Sequence, residues 1–510
     1  MTVLLDGTPL ALDAWRQIYF DGLVPHLAPT ARDKVDKAAA LVAALGRGDQ
    51  PIYGVNTGFG KLAQIRIPEG DIAELQRNLI LSHSTGVGAA LPAEIVRLVM
   101  ALKIASLARG ASGVRWQILE MLAAMLSRDM LPVIPSQGSV GASGDLAPLA
   151  HLAAALLGFG TASLGGQVMS AGEALSRIGL APITLGAKEG LALINGTQVS
   201  TALALAGLFR IERVFQSALI AGSMTLDAVQ GTDGPFDARL HTLRGLKGQI
   251  DVAAALRGLA ADSAIRAGHA ACDKVQDPYS LRCQPQVMGA CLDLMRNAAA
   301  TLVVEASAVT DNPLVLVETG EILSGGNFHA EPVAFAADML ALACAEIGAI
   351  AERRIALLTD PAMSGLPPFL AYRPGLDSGF MIAHVTAAAL TAENRQRAAP
   401  CSVDSLPTSA NQEDHVSMAT HGARRLLDMS ANAAQIIGIE AMIAANGIEH
   451  HAPLLTGPVR QPARAAIRAR TAPVHEDRFL APDLAAAADL VTDGSLARPA
   501  AEVMEGVGLA

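Results

Sequence analysis

The sequence predicts a mainly α-helical protein whose core is a bundle of long helices, with a smaller, loop-rich N-terminal part. Three observations predict it. Hydrophobic residues fill 51% of the 510 positions but aromatics only 3%, so the interior must be built from Ala, Leu, Val and Ile, which suit closely packed helices. Five segments keep helical periodicity for longer than an average globular helix: 190–229, 285–309, 328–359, 379–398 and 410–445. Turn-rich connectors separate them, among them Asp311-Asn312-Pro313, Ser324-Gly325-Gly326 and Ser405-Leu406-Pro407-Thr408.

Taken in order, residues 91–130 read as two helices broken by a glycine and serine turn at 110–113. After the loop GSVGASG, a helix is expected from Asp145 to about Leu157, capped by Ser143 or Gly144. A single boundary is expected near Asn195, giving an N-terminal domain over 1–195 and a long-helix domain over 196–510. Arg460, Arg464 and Arg468 at helical spacing suggest a solvated or subunit-facing helix side, and the Ala-rich tail from Ala481 a surface helix.

A formal net charge of -10 argues against nucleic acid as a partner. The five cysteines (Cys272, Cys283, Cys291, Cys344, Cys401) show no paired spacing, as expected for reduced thiols in the cytoplasm. The N-terminus has no basic region before its apolar residues, and charges interrupt the long apolar segments; neither a secretion signal nor a membrane span is expected.

The chemistry concentrates in PSQGSVGASGDLAPLAH, residues 135–151. At Gly144 no Cβ blocks the backbone nitrogen from the Ala142 carbonyl carbon, and glycine tolerates the dihedrals of a five-membered ring. If that ring closes and Ser143 loses water, the serine becomes a methylidene electrophile. Two tyrosines lie in polar loops, Tyr53 in YGVNTGFGKL and Tyr279 in VQDPYSLRCQPQ, the latter after a run, AACDKV, that reads as the end of a helix. Beside Tyr279, Arg282 is a natural fork for a carboxylate, although it can equally pair with Asp277. His83 and Glu413 are ionisable groups set among small residues.

Two other motifs fail. His329-Ala330-Glu331 with Pro400-Cys401 begins a zinc deaminase signature, but Asp404 stands where the second cysteine belongs, so no metal is expected. Gly141 to Asp145 is a near miss for a serine hydrolase elbow, broken at Asp145 and lacking the preceding strand.

Together, eight segments resemble the aromatic amino acid ammonia-lyases and aminomutases, and among them the histidine ammonia-lyases. They are YGVNTGFG (53–60), LQRNLILSHSTGVG (75–88), GSVGASGDLAPLAH (138–151), KEGLALINGTQ (188–198), QDPYSLRCQPQ (276–286), TDNPL (310–314), GGNFHAEP (325–332) and SLPTSANQEDHVS (405–417), in family order. Lys61, Gln64 and Cys401 depart from the pattern without touching an assigned position.

The resemblance implies a helical fold of the fumarase/aspartase-like superfamily and a homotetramer whose sites draw on more than one subunit. It also implies a 4-methylidene-imidazol-5-one formed from Ala142, Ser143 and Gly144 with loss of two waters and no external cofactor. Relatives acting on tyrosine carry His-Leu, and those acting on phenylalanine Phe-Leu, where this chain has Ser82-His83. The implied reaction is deamination of L-histidine to trans-urocanate, the first step of histidine degradation. Alternatives are a tyrosine or phenylalanine ammonia-lyase or aminomutase, or a zinc-dependent deaminase. The implied roles are Tyr53 or Glu413 as base, Arg282 on the carboxylate, Asn195, Gln276 and Tyr279 on the amine or electrophile, and His83 and Phe328 on the substrate ring.

Overall fold

Small apolar side chains at helical spacing form the long helices expected of them: Gln198–Ala228, Gln284–Glu305, Glu331–Thr359, Met381–Arg397 and Ala419–Glu449. The structure is a computed structural model that describes residues 3–48, 50–269 and 275–509. The helix end expected over AACDKV falls largely on 270–274, outside the described residues, as does Cys272. Helices Ala93–Leu107 and Trp116–Ser127 flank the turn expected at 110–113.

The chain gathers into two compact units, each built from three stretches of sequence. The first takes Met1–Ala206, Ala299–Asp338 and Pro400–Arg424; the second takes Gly207–Ala298, Met339–Ala399 and Arg425–Ala510. The single boundary expected near 195 is a contiguous cut, whereas these units interleave along the sequence.

All described strands belong to the first unit and are two to four residues long. Val87–Ala90 pairs antiparallel with Pro135–Gln137, which fixes the chain as it enters the GSVGASG loop. Met130–Pro132, Thr161–Leu164 and Gln167–Ser170 form a three-stranded antiparallel sheet. Ala38, Val42, Val55 and Val315, with Ile52 packed against them, make a small apolar cluster that flanks Tyr53 on both sides.

Several expectations change for local reasons. The helix read over 190–229 is two: Glu189–Ile194 ends at Asn195, whose backbone is extended (φ −82, ψ 142), and Gly196 turns the chain at φ +118 before Gln198 restarts it. The helix read from 410 begins at Ala419, because Ser409, Ala410 and Asn411 all take left-handed conformations (φ 51, 56 and 63). The tail helix Ala481–Thr492 buries Ala487, Ala488, Leu490 and Val491, and a Cβ on Gly438 would lie 2.7 Å from the Ala488 nitrogen, so it is not a purely surface helix.

Charge is also found inside. Arg460 is fully buried and paired with Asp227 (2.8 Å), while Arg464 and Arg468 are partly buried and both reach Glu449, so the arginine row is not a wholly solvated side: Arg460 is internal. Helices Gln284–Glu305 and Glu331–Thr359 are long and apolar enough to cross a membrane, but 72% of the apolar window in the second is buried within the protein.

In the second unit Arg354 and Glu440 are wholly buried, joined at 2.5 and 2.7 Å, with Thr225 Oγ1 donating to the same carboxylate (2.8 Å). Removing one partner strands a buried charge. Glu440→Ala is therefore expected to cost about 3–5 kcal/mol, while Arg354→Met with Glu440→Met recovers most of it. Urea unfolding followed by helical circular dichroism checks this; an unchanged midpoint in Glu440→Ala would refute it.

Candidate active site

A cavity of about 970 Å³ lies in the first unit, and its lining joins segments far apart in sequence. Tyr53, His83, Ala142, Ser143, Asn195, Phe328 and Glu413 all face it.

The tripeptide loop sits on its wall with an unusual backbone. Ser143 has φ +55 and Gly144 φ +80, and Gly141 pairs with Gly144 across the turn. Gly144 also pairs with Gly196, so closely that a Cβ on Gly144 would lie 2.2 Å from the Gly196 carbonyl oxygen. Only glycine fits there. The helix that follows is Leu146–Leu156 with Asp145 at its N-cap position, so neither Ser143 nor Gly144 caps it.

Asp145 does not cap with its side chain either. Its backbone N–H donates to Gly196 O (2.8 Å), and its carboxylate is wholly buried. That carboxylate accepts from Ser200 N (2.7 Å), Ser200 Oγ (2.9 Å), Ser139 Oγ (3.2 Å) and Thr420 Oγ1. Burial raises its pKa, and these four hydrogen bonds oppose that rise without cancelling it. One carboxylate thereby ties the loop to two other segments, those of Ser200 and Thr420.

Asn195 ends the helix Glu189–Ile194, and its Nδ2 donates to the Ser143 carbonyl (2.8 Å). Its Oδ1 is buried without a protein partner. Behind it Lys103, fully buried, donates to the Asn195 carbonyl (2.9 Å) and the Ala192 carbonyl (3.2 Å). Burial lowers the Lys103 pKa to about 8 against the pull of Asp311 and Asp145. No sequence motif marks Lys103; its one signal is a single cation within the apolar helix run LVMALKIASL (98–107).

Tyr53 accepts from the Gly60 N–H (3.3 Å). Burial raises its pKa and the Glu413 charge raises it further, the Gly60 hydrogen bond alone opposing. The phenol is therefore held protonated at rest. Glu413 follows the left-handed turn at 409–411, its backbone clasped to Thr408 (2.9 Å), and its Oε2 is buried without a hydrogen bond. His83 closes the helix Ile72–His83, its Nδ1 3.1 Å from Ser82 Oγ, and burial lowers its pKa toward the neutral ring.

Three expected site residues do not line this cavity. Gln276, Tyr279 and Arg282 belong to the second unit, where Tyr279 and Arg282 bound a four-residue helix and the guanidinium lies 4.5 Å from the tyrosine ring centre. Asp277, the other candidate partner for Arg282, accepts instead from Thr232 N (2.8 Å), and Arg282 Nε is buried without a hydrogen bond. The cavity also shows His329 and His415, which were not assigned to the site from sequence.

The aromatic amino acid lyase family model matches residues 10–469. Histidine ammonia-lyase from Trypanosoma cruzi is 38% identical, with 99% of this chain and 97% of that chain covered and a TM-score of 0.92. Tyrosine aminomutase from Streptomyces globisporus is 34% identical over 98% and 99% (TM-score 0.93), and phenylalanine aminomutase from Pantoea agglomerans 29% over 96% and 99% (TM-score 0.92).

With only four tyrosines, phenol ionisation can be followed by ultraviolet absorbance and assigned with Tyr53→Phe. The Tyr53 phenol is expected to ionise above the ordinary value of about 10, and Glu413→Gln to bring it down. A Tyr53 titration unmoved by Glu413→Gln would contradict the coupling.

Proposed function

We propose, for a chain that belongs to the aromatic amino acid lyase family, that it is a histidine ammonia-lyase converting L-histidine to trans-urocanate and ammonia. The observation that carries the histidine reading is the polar wall of the cavity, where Ser82 and His83 stand with the unpartnered Glu413 Oε2. An imidazole needs such hydrogen-bond partners, whereas a phenyl ring prefers an apolar slot.

Ala142, Ser143 and Gly144 fit the family's methylidene-imidazolone group: the left-handed Ser143 and the side-chain-free approach of Gly144 supply the bend that ring closure demands. That group supplies an electrophilic carbon that turns the α-amine into a better leaving group. Asn195 Nδ2 holds the Ser143 carbonyl, leaving Oδ1 to accept a substrate N–H. Tyr53 takes the β-proton, and the features that raise its pKa also make its phenolate a stronger base. Glu413 receives the imidazole N–H and is the rival base. Phe328 packs on the ring.

In this reading the protein is a cytoplasmic homotetramer. Arg282 of the partner subunit clamps the substrate carboxylate, with Gln276 and Tyr279 of the partner subunit fixing the amine. The buried, unpartnered Arg282 Nε is consistent with a ligand to come. The likeness to aminomutases supports a second reading, in which the amine returns to the β-carbon.

Peptide mapping across 142–144 is expected to show the encoded mass less two waters; the full encoded mass would sink the proposal. Ser143→Ala should lower kcat at least about a thousandfold while keeping the helical dichroism. Assays with histidine, tyrosine and phenylalanine, read by the absorbance of the conjugated acid, should favour histidine, and a β-amino acid product would select the aminomutase. If Tyr53 is the base, activity rises with pH and Glu413→Gln moves that rise to lower pH.

A further inference from the structure

The cavity rim carries a cluster that the lyase reaction does not use. His329 Nε2 and His415 Nδ1 approach to 3.3 Å, from residues 86 positions apart in sequence, and both residues line the cavity. The rings lie 5.4 Å apart between centres with their planes 28° from parallel. Glu331 lies beside them, its Oε2 3.9 Å from His329 Nδ1, the other nitrogen of that ring, so a shared ion takes one His329 nitrogen and the Glu331 side chain turns to it. One ligand atom from each of the three residues falls within 4.8 Å of the others.

Two nitrogens bound to one tetrahedral ion at about 2.0–2.1 Å lie about 3.3 Å apart, which is the separation found here. A simple hydrogen bond between the two rings accounts for that distance too, but not for the carboxylate. Glu331 Oε2 is shut off from solvent and makes no hydrogen bond, although a carboxylate buried that way needs a cation or a donor. Two imidazoles and one carboxylate are the donor set of an open zinc-type site, with a fourth position free for water or another ligand.

We propose that His329, Glu331 and His415 bind one divalent transition ion of the zinc class at the rim of the cavity. His329 and Glu331 begin the segment entering the helix Glu331–Thr359, and His415 stands two residues beyond Glu413. A bound ion therefore staples the Phe328 segment to the Glu413 loop. The H-x-E pair that lacks thiolate partners in sequence acquires a histidine partner in space, against the expectation of no metal. The proposal stands independently of which amino acid the enzyme takes.

The test uses tag-free, full-length protein stripped with chelator in amino-acid-free buffer. It is titrated with Zn²⁺ against a chromophoric competitor, and with Co²⁺ followed by visible absorbance. One Zn²⁺ per chain is expected, with a Co²⁺ spectrum of low coordination number lacking the near-ultraviolet charge-transfer band of a thiolate ligand. Zn²⁺ should also raise the thermal midpoint. His329→Gln and His415→Gln should each abolish binding and Glu331→Gln weaken it at least tenfold, while the His450-His451 pair, which belongs to the second unit and does not line the cavity, serves as control: His450→Gln with His451→Gln leaves binding intact. The proposal is overturned if the unmodified protein binds neither ion, if Co²⁺ shows thiolate ligation, or if His329→Gln and His415→Gln bind as the unmodified protein does. Should one variant fail to fold, the Co²⁺ spectrum of the unmodified protein and the other variant still decide.

Discussion

The contact between Gly144 and Gly196 is what the rest of the first unit is arranged around. Two backbones run side by side with no room for a Cβ on Gly144, and a Cβ on Gly196 would meet Gln198 Oε1 and Thr310 Oγ1 at 2.7 and 2.9 Å. That approach forces the break between the helices Glu189–Ile194 and Gln198–Ala228, places Asn195 at the break, and aims its Nδ2 at the Ser143 carbonyl. The helix interruption and the reactive loop are therefore one structural event.

Such a contact survives only if the polar groups it buries are satisfied. Asp145 meets that demand by binding the start of the next long helix through Ser200 and the start of another through Thr420. Lys103 does the same from below, holding the carbonyls at the end of the short helix, while Lys188 is neutralised by Asp311 (2.9 Å). Buried charge here fixes backbone position more than it adds stability, since burying such groups costs about as much as their pairing returns.

The cavity combines that rigid floor with a polar rim. Asn195 Oδ1 and Glu413 Oε2 are buried without partners, a state tolerable in a site that a ligand completes. Burial, and to a smaller degree the Glu413 charge, opposes loss of the Tyr53 phenolic proton.

The sequence alone determined the helical class, the five long helices to within a few residues at most of their ends, and the tripeptide with its family. These follow from periodicity, composition and local motifs, which are properties of neighbours in the chain. It did not determine where helices 190–229 and 410–445 would break or start, because those limits are set by Gly196 meeting Gly144 and by the left-handed turn at 409–411. Nor could it show that Arg460 is buried against Asp227, or that Lys103 supports Asn195. The gathering of Tyr53, His83, Ser143, Asn195, Phe328 and Glu413 on one cavity, the direction of the Tyr53 pKa, and the meeting of His329 with His415 were decided by tertiary structure alone. Each depends on distances and burial between segments tens to hundreds of residues apart, which no local pattern encodes.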